Sequence, residues 1–300
     1  MRLGRLIVNI LKISSYRGCM KRRKLFPPYG LFKDERINIP YKDDDNPQHT
    51  FDVLLADNNR KNVCIVDIHG GAYIFGEHID NYIFGKEFVK EGYDVVLVDY
   101  EPNNGKIDTK DLVDDIVDNF NYVFSHLKEL GLENDKFVIT GDSAGGHFAL
   151  LLSELILNKE YAKELGYSFP DIELLACLVN CTVFDFVHIS DGNLSKSGRK
   201  RMFGPNYHDV KAFEDLCPKV HINSLTCPVF ISTCKHDFLR KQSYMLNEEL
   251  LKRNIKVKLV DINSDEKHVG HVHNVLHPEH HLAIEVNKQM MEFIDECNKK

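Results

Sequence analysis

The chain carries a short glycine-rich stretch, Thr-Gly-Asp-Ser-Ala-Gly-Gly at residues 140–146, that decides how the rest can fold. An apolar run at residues 137–139 precedes it, and a segment of small and apolar residues follows from Ala144 to Ile156. A Gly-x-Ser-x-Gly sequence between a strand and a helix is typical of a nucleophile elbow, where small neighbours let the chain turn sharply and expose the serine hydroxyl. We therefore predict that Ser143 is a nucleophile.

Hydrophobic periodicity predicts strands that alternate with helices along most of the 300 residues. Besides the strand that ends at the elbow, we predict strands at residues 35–40, 50–56, 62–68, 94–99, 173–179, 228–234 and 256–262. The predicted helices lie at residues 82–91, 109–130, 144–156, 243–253 and 281–297. This alternation predicts an α/β fold with a mostly parallel central sheet and helices on both faces.

The charge of the chain bears on what it can bind. The formal net charge is -7 at pH 7, which argues against a nucleic-acid-binding protein because such a protein needs a basic surface. Residues 1–26 are the exception, with eight Lys and Arg residues and no acidic residue. Apolar residues recur there at helical spacing, namely Leu3, Leu6, Ile7, Ile10 and Leu11. They predict a basic amphipathic helix that either packs on its own domain or makes at most weak contact with a membrane surface.

The cysteines and the apolar runs predict a cytoplasmic protein. None of the eight cysteines forms a Cys-x-x-Cys pair, and a chain of this length does not need disulfides, so we expect reduced thiols. No window approaches the 18 or so consecutive apolar residues of a membrane span. Lys12 interrupts the first apolar run and no small-residue cleavage site follows, which argues against a signal peptide.

A serine nucleophile needs a base and an acid that orients the base. Functional groups of parallel sheets collect beyond the carboxyl ends of the strands, and Asp237 directly follows the strand at 228–234, so we predict that it is the acid. Several histidines crowd residues 268–281. We favour His271 as the base, because the preceding glycine would give its backbone room to reach the site, with His268 and His273 as alternatives.

The histidine cluster also raises the possibility of a metal site. Imidazole is a common ligand of zinc and nickel. The cluster has no paired carboxylate or thiolate ligands at a recognisable spacing, so the sequence predicts neither a metal nor a cofactor.

The order Ser143, Asp237, His271 along the chain is the one expected for serine hydrolases built on a parallel sheet. Such a reaction also needs donors for the negative oxygen of the tetrahedral intermediate. We predict that the backbone amides of Gly70, Gly71 and Ala144 supply them, because bare glycine backbone approaches an oxygen closely.

These motifs together resemble the α/β-hydrolases, and among them the hormone-sensitive-lipase-like carboxylesterase group. The resemblance covers about residues 60–297 and rests on His-Gly-Gly-Ala at 69–72, Gly-Asp-Ser-Ala-Gly-Gly at 141–146, Asp237 and His271. It implies hydrolysis of carboxylic esters with small to medium acyl groups through an acyl-enzyme intermediate. It also implies that His69 orients the oxyanion loop.

The resemblance further implies a cap over the site. By analogy, residues 1–40 would contribute to this cap, and residues 41–300 would form the catalytic domain with a cap insertion at about 180–215. The chain departs from the family pattern at Ala72, where the family has a third glycine, and at residues 99–105, where it lacks the usual Asp-Tyr-Arg-Leu-Ala-Pro-Glu.

Other functions use the same residues. An amidase, an arylformamidase or a peptidase would use the same triad, because the triad selects acyl transfer and not the leaving group. A non-catalytic small-molecule binding protein on the hydrolase fold is a further alternative, although it would be expected to lack one of the three residues. The predicted partner is a small-molecule ester, and the sequence makes no prediction of oligomeric state.

Overall fold

A single mixed sheet forms the centre of the computed structural model, which describes residues 17–24, 29–190 and 195–299. Its strands are β1 (Glu35–Pro40), β2 (Thr50–Leu54), β3 (Val63–Ile68), β4 (Asp94–Val98), β5 (Lys136–Asp142), β6 (Glu173–Asn180), β7 (Val229–Cys234) and β8 (Val257–Ile262). Their order in the sheet is β1-β2-β4-β3-β5-β6-β7-β8. β2 runs antiparallel to its two neighbours, β1 and β4. All other neighbouring strands, from β4 through β3 to β8, pair in parallel.

Helices cover both faces of the sheet. They are α1 (17–24), α2 (Tyr82–Lys90), α3 (Thr109–Ser125), α4 (Ala144–Leu157), α5 (Lys159–Glu164), α6 (Phe186–Ser190), α7 (Lys196–Phe203), α8 (Val210–Asp215), α9 (Pro218–His221), α10 (Arg240–Lys252), α11 (His273–Leu276) and α12 (His281–Asn298), with 3₁₀ helices at His78–Asn81 and Ile222–Ser224. Apolar side chains of α3, α4 and α10 belong to the core on one face, and those of α2, α11 and α12 to the core on the other. The predicted fold is confirmed.

The central strands are buried on both faces because helices cover both. Every residue of β3 and β4 is buried, including those whose side chains point to opposite faces. Strands of this kind have nearly continuous apolar sequences, which is why the apolar runs located them.

Two helix ends differ from the prediction by more than one residue. The helix predicted over 109–130 ends at Ser125, and a tight turn follows in which the Leu130 amide donates to the His126 carbonyl. The helix predicted to begin at residue 243 begins at Arg240, where the Arg240 amide donates to the Asp237 carbonyl. Both differences come from local hydrogen bonds that hydrophobic spacing does not report.

The described part of the predicted insertion, at about residues 180–215, is built from short helices. α6, α7 and α8 each present one buried phenylalanine, namely Phe186, Phe203 and Phe213, whose ring centroids lie 5.1 to 5.6 Å apart. Polar contacts join the insertion to the region after β4, since the Asn206 amide donates to Asp108 at 2.8 Å. A role as a cap remains a prediction.

The N-terminal segment is described only in part. The apolar residues of the predicted amphipathic helix, Leu3 to Leu11, lie outside the described residues. Arg23 of α1 pairs with Glu77 at 2.9 Å and with Asp80 at 3.0 Å, which joins α1 to the 3₁₀ helix before α2. The boundary at residue 40 between the N-terminal segment and the catalytic domain stays a prediction. The last six residues of that segment form β1, at the edge of the sheet.

The structure also bears on membranes and thiols. Within the described ranges, every helix is too short or too polar to cross a bilayer. No disulfide joins the eight cysteines, all of which lie in those ranges.

The close approach of α4 to β3 leads to the first prediction. A Cβ on Gly145 would lie 2.0 Å from the Ile68 carbonyl oxygen, and backbone on both sides cannot move. We expect Gly145→Ala to lower the melting temperature by about 10 °C or more, or to prevent soluble expression. Gly270→Ala is the control, because a Cβ there meets nothing within 4 Å. Thermal unfolding of both variants decides, and a Gly145→Ala protein that melts with the wild type would contradict the packing described.

Candidate active site

Ser143 lies on the sharp turn between β5 and α4. Its backbone has φ 54° and ψ -114°, a conformation that residues with a side chain rarely adopt. Hydrogen bonds hold the turn in place, since the Ser143 amide donates to the Asn180 carbonyl at 2.8 Å. A Cβ on Gly141 would lie 2.3 Å from the Gly145 carbonyl oxygen, so the turn needs glycine there. The structure therefore has the geometry predicted for the elbow.

Loops after β7 and β8 bring an acid and a base to the serine. His271 Nε2 lies 2.9 Å from Ser143 Oγ, and His271 Nδ1 lies 2.7 Å from Asp237 Oδ1. The Asp237 side chain is fully buried, whereas 22% of the His271 side chain is exposed. The loop is held behind the ring, where the Val272 amide donates to Cys181 Sγ at 3.2 Å. These three predicted residues form one hydrogen-bonded chain.

The environment of Asp237 determines the tautomer of His271. Thr233 Oγ1 donates to Asp237 Oδ2 at 2.7 Å, and the Leu239 amide donates to Oδ1 at 2.9 Å. Burial alone would raise the pKa of Asp237, but the hydrogen bonds from His271, Leu239 and Thr233 lower it below its ordinary value. An ionised carboxylate only accepts, so His271 Nδ1 donates to it, and Nε2 is left to accept the Ser143 proton.

The two alternative bases lie elsewhere. His268 is exposed, with its ring 4.3 Å from that of His277. His273 is buried at the beginning of α11. The expectation that His271 needs a glycine before it was wrong. Gly270 does not have a left-handed φ, and a Cβ at this position would meet nothing within 4 Å, so the backbone does not require glycine there. The left-handed residue beside His271 is Val272, with φ 51°.

The oxyanion loop, residues 69–72, follows β3. The Gly70 amide donates to Asp142 Oδ1 at 2.9 Å, so it is not available to an oxyanion, and the predicted role of Gly70 is corrected. The amides of Gly71, Ala72 and Ala144 donate no hydrogen bond within the part of the chain that the structure describes. Sequence reasoning missed the Ala72 amide. The sequence signal for this was Asp142, next to Ser143. A buried carboxylate needs a hydrogen-bond donor, and the Gly70 amide supplies one.

Buried groups of alternating charge support the oxyanion loop. His69 donates from Nε2 to Asp99 Oδ1 at 2.9 Å and from Nδ1 to the Gly70 carbonyl at 2.6 Å. His78 Nδ1 donates to Asp99 Oδ2 at 2.9 Å, and its Nε2 lies 3.1 Å from Asp52 Oδ1. His69 faces an acceptor on each nitrogen, and each His78 nitrogen lies near a carboxylate, an arrangement that favours the protonated form of both rings. Burial opposes this, but the carboxylates raise the pKa of His69 and raise that of His78 to about 10.

A second buried pair of acids lies behind the elbow. Asn81 Nδ2 donates to Asp67 Oδ2 at 2.8 Å and to Asp142 Oδ1 at 2.9 Å. Burial, together with the nearby carboxylate of Asp142, raises the pKa of Asp67 to about 8. At neutral pH Asp67 is thus mostly protonated. Burial raises the pKa of Asp142 as well, so the two acids do not both carry a full charge beside one amide.

An aromatic contact joins the insertion to the oxyanion loop. His147 Nε2 donates to the Leu216 carbonyl at 2.7 Å, and its Nδ1 lies 3.1 Å from the Tyr73 hydroxyl. Burial lowers the pKa of His147 to about 4, so the ring is neutral and accepts the Tyr73 proton. The Tyr73 ring also lies 5.4 Å from Phe186 and 5.7 Å from Phe203.

Among the described residues, two groups of side chains could each offer three ligand atoms to a metal ion. Donor atoms of Cys181, Asp237 and His271 lie within 4.8 Å of one another, and so do those of a more exposed group, Glu266, His280 and His281. The first group shares two residues with the hydrogen-bonded chain at Ser143. A metal there would compete with the contact between Asp237 and His271.

A sheet of this order, with a serine on a strand-to-helix turn and an acid and a histidine on later loops, defines the α/β-hydrolase class. The chain belongs to the BD-FAE family, whose model matches residues 51–250.

Curated relatives agree with this class. The chain is 29% identical over 125 residues to a probable isoprenylcysteine alpha-carbonyl methylesterase of Arabidopsis thaliana, a match that covers 41% of this chain and 25% of that protein. It is 23% identical over 146 residues to an isoprenylcysteine alpha-carbonyl methylesterase of the same plant, covering 48% and 34%. The chain thus spans about a quarter to a third of the length of these relatives. The predicted resemblance to esterases of the α/β-hydrolase fold is confirmed.

A solved structure shares the fold over the whole chain. Esterase B from Lactobacillus rhamnosis superposes with a TM-score of 0.83 at 20% identity, covering 100% of this chain and 97% of that one. At this identity the likeness concerns the fold alone.

The raised pKa of Asp67 leads to a prediction about stability and pH. A carboxyl whose pKa is higher in the folded state contributes stability that is complete below the unfolded pKa, near 4, and is lost as the pH rises to about 8. Asp67→Asn removes this loss. We therefore expect the free energy of unfolding of the variant, relative to that of the wild type, to rise by up to about 1.4 kcal/mol per pH unit between about pH 4 and pH 8. Urea unfolding at pH 4.5, 6 and 8 measures it.

The control for this measurement is Asp171→Asn, which removes the same charge from a fully exposed side chain. It should show no such trend. An Asp67→Asn protein whose stability relative to the wild type does not change with pH would contradict the assignment.

Proposed function

We propose that this protein is a serine carboxylesterase that cleaves small to medium acyl esters through an acyl-enzyme intermediate. The observation that carries the proposal is the continuous hydrogen-bonded chain from Ser143 Oγ through His271 to Asp237. Membership of the BD-FAE family and the methylesterase names of its relatives support an ester substrate.

In the proposed reaction, Ser143 Oγ attacks the ester carbonyl while His271 Nε2 takes its proton. His271 then gives that proton to the oxygen of the leaving alcohol, and the acyl group stays on Ser143. A water molecule, activated by the same ring, releases the acid and restores the serine. Asp237 holds His271 in the required tautomer and stabilises its charged form.

The negative oxygen of each tetrahedral intermediate is bound by the amides of Gly71, Ala72 and Ala144. Two of these belong to the oxyanion loop and the third begins α4, where the amides of a helix terminus favour negative charge. Asp142 supports the site indirectly, because it holds Gly70 and thereby the loop. The carbonyl of the substrate thus lies between α4 and the loop.

Matched histidine variants test the proposal. We expect Ser143→Ala and His271→Ala each to lower kcat on p-nitrophenyl acetate by about 10⁴-fold or more, because the two residues act as one unit. His268→Ala is the control, since His268 is exposed and faces His277, and it should retain wild-type turnover. The wild type should also be labelled on Ser143 by an alkyl phosphonate ester, which intact-protein mass spectrometry detects.

The outcomes separate the alternatives. Wild-type turnover that survives in Ser143→Ala would exclude this nucleophile. Loss of turnover in His268→Ala but not in His271→Ala would assign the base to His268. Turnover of anilide or formamide substrates but of no p-nitrophenyl ester from acetate to octanoate would favour an amidase.

A further inference from the structure

Phe238 is the most exposed large apolar side chain of the described residues, with 75% of its surface accessible. It directly follows Asp237 in the chain. Its ring centroid lies 4.1 Å from that of His271, with the ring planes inclined by 35°. An aromatic ring therefore covers one side of the base and presents its other side to solvent.

The packing of the protein does not account for this exposed ring. An aromatic side chain buries 150 to 250 Å² when it contributes to a core, and Phe238 buries little. Its neighbour Leu239, by contrast, is buried in the core beneath the same loop. The apolar surface of Phe238 is thus available to a ligand that approaches His271.

The chemistry of His271 decides which part of a substrate reaches Phe238. His271 Nε2 returns its proton to the oxygen of the leaving alcohol, so the alcohol group must lie beside the imidazole. The carbonyl oxygen points instead toward the amides of Gly71, Ala72 and Ala144. A group beside the imidazole meets the Phe238 ring, whereas the acyl chain extends from the other side of the carbonyl carbon.

The charged groups beside Phe238 do not select a charged alcohol. Lys235 Nζ and His236 Nε2 both contact the carboxylate of Asp265, at 2.5 and 2.6 Å. The carboxylate of Asp265 therefore offsets the charge of Lys235. The side chain that lies against the base is the uncharged aromatic ring of Phe238.

We propose that Phe238 is a specificity-determining residue that binds the alcohol part of the substrate, and that the preferred substrates are esters of neutral aromatic alcohols. The inference rests on the proposed function. Offset or edge contacts between aromatic rings are worth enough to change selectivity several-fold.

Two acetate esters with primary alcohols test the inference, because benzyl acetate and ethyl acetate share the acyl group and differ at the alcohol. We expect Phe238→Ala to lower the ratio of kcat/KM for benzyl over ethyl acetate by about 3- to 10-fold. Phe238→Tyr keeps the ring and should keep the ratio within about 2-fold. The inhibition constant of benzyl alcohol should rise with the loss of the ring.

Two controls limit the interpretation. Leu251→Ala removes another exposed apolar side chain, on α10, and should leave the benzyl-to-ethyl ratio as in the wild type. The ratio of ethyl butyrate to ethyl acetate reports the acyl side. It should be the same for wild type and Phe238→Ala.

Three results for Phe238→Ala would overturn the inference. An equal loss of kcat/KM on both acetates would mean that the ring only supports His271. A change confined to the butyrate-to-acetate ratio, or no change in either ratio, would also contradict it. Failure of the proposed function looks different, since the wild type would then hydrolyse none of these esters in a Ser143-dependent manner. Calorimetric binding of benzyl acetate to Ser143→Ala, with and without Phe238→Ala, tests the contact without turnover, and equal affinities would refute it.

Discussion

The close contact between the first turn of α4 and the end of β3 is the constraint on which the site depends. Gly145 lies against the Ile68 carbonyl with no room for a Cβ, and Gly141 lies equally close to Gly145. This contact forces the sharp turn that gives Ser143 a left-handed φ and raises its hydroxyl above the sheet. It also places the amide of Ala144 next to the oxyanion loop. The strain at one residue is therefore maintained by backbone packing, which a change of side chain elsewhere does not relieve.

Buried charge then positions the loop that faces the serine. Asp142 precedes Ser143, and its carboxylate accepts a hydrogen bond from the Gly70 amide, which holds the loop of residues 69–72 against the turn at Ser143. On the other side, His69 is tied to Asp99 and through it to His78. Unpaired buried charges are costly, whereas here the carboxylate of Asp99 lies between the rings of His69 and His78 and accepts a hydrogen bond from each. The same groups that are expensive to bury thus fix the backbone of the loop, and they lie behind it rather than at the substrate.

The sheet and the positions of Ser143, Asp237 and His271 could be predicted because each follows from local sequence and strand order. Apolar runs located the strands, and residues at their carboxyl ends must meet at one edge of a parallel sheet. Which amides of the loop at residues 69–72 are free of internal hydrogen bonds could not be predicted in the same way. Whether the Gly70 amide is free depends on a carboxylate 72 residues away, and no spacing within the loop encodes that contact. The list of helices predicted from periodicity does not include α6, α7 and α8, because each is short and presents one buried phenylalanine to the others.

The insertion and the oxyanion loop are not independent parts. Leu216, at the end of α8, accepts from His147, and the neutral ring of His147 accepts in turn from the Tyr73 hydroxyl. Tyr73 follows Ala72 directly, and both residues have a left-handed φ. A left-handed pair is held only where its surroundings leave no alternative, and here the surroundings are the rings of Phe186 and Phe203. A substitution in the insertion can therefore shift the backbone at Ala72 and Tyr73, and so alter the surroundings of Ser143 without changing Ser143, Asp237 or His271.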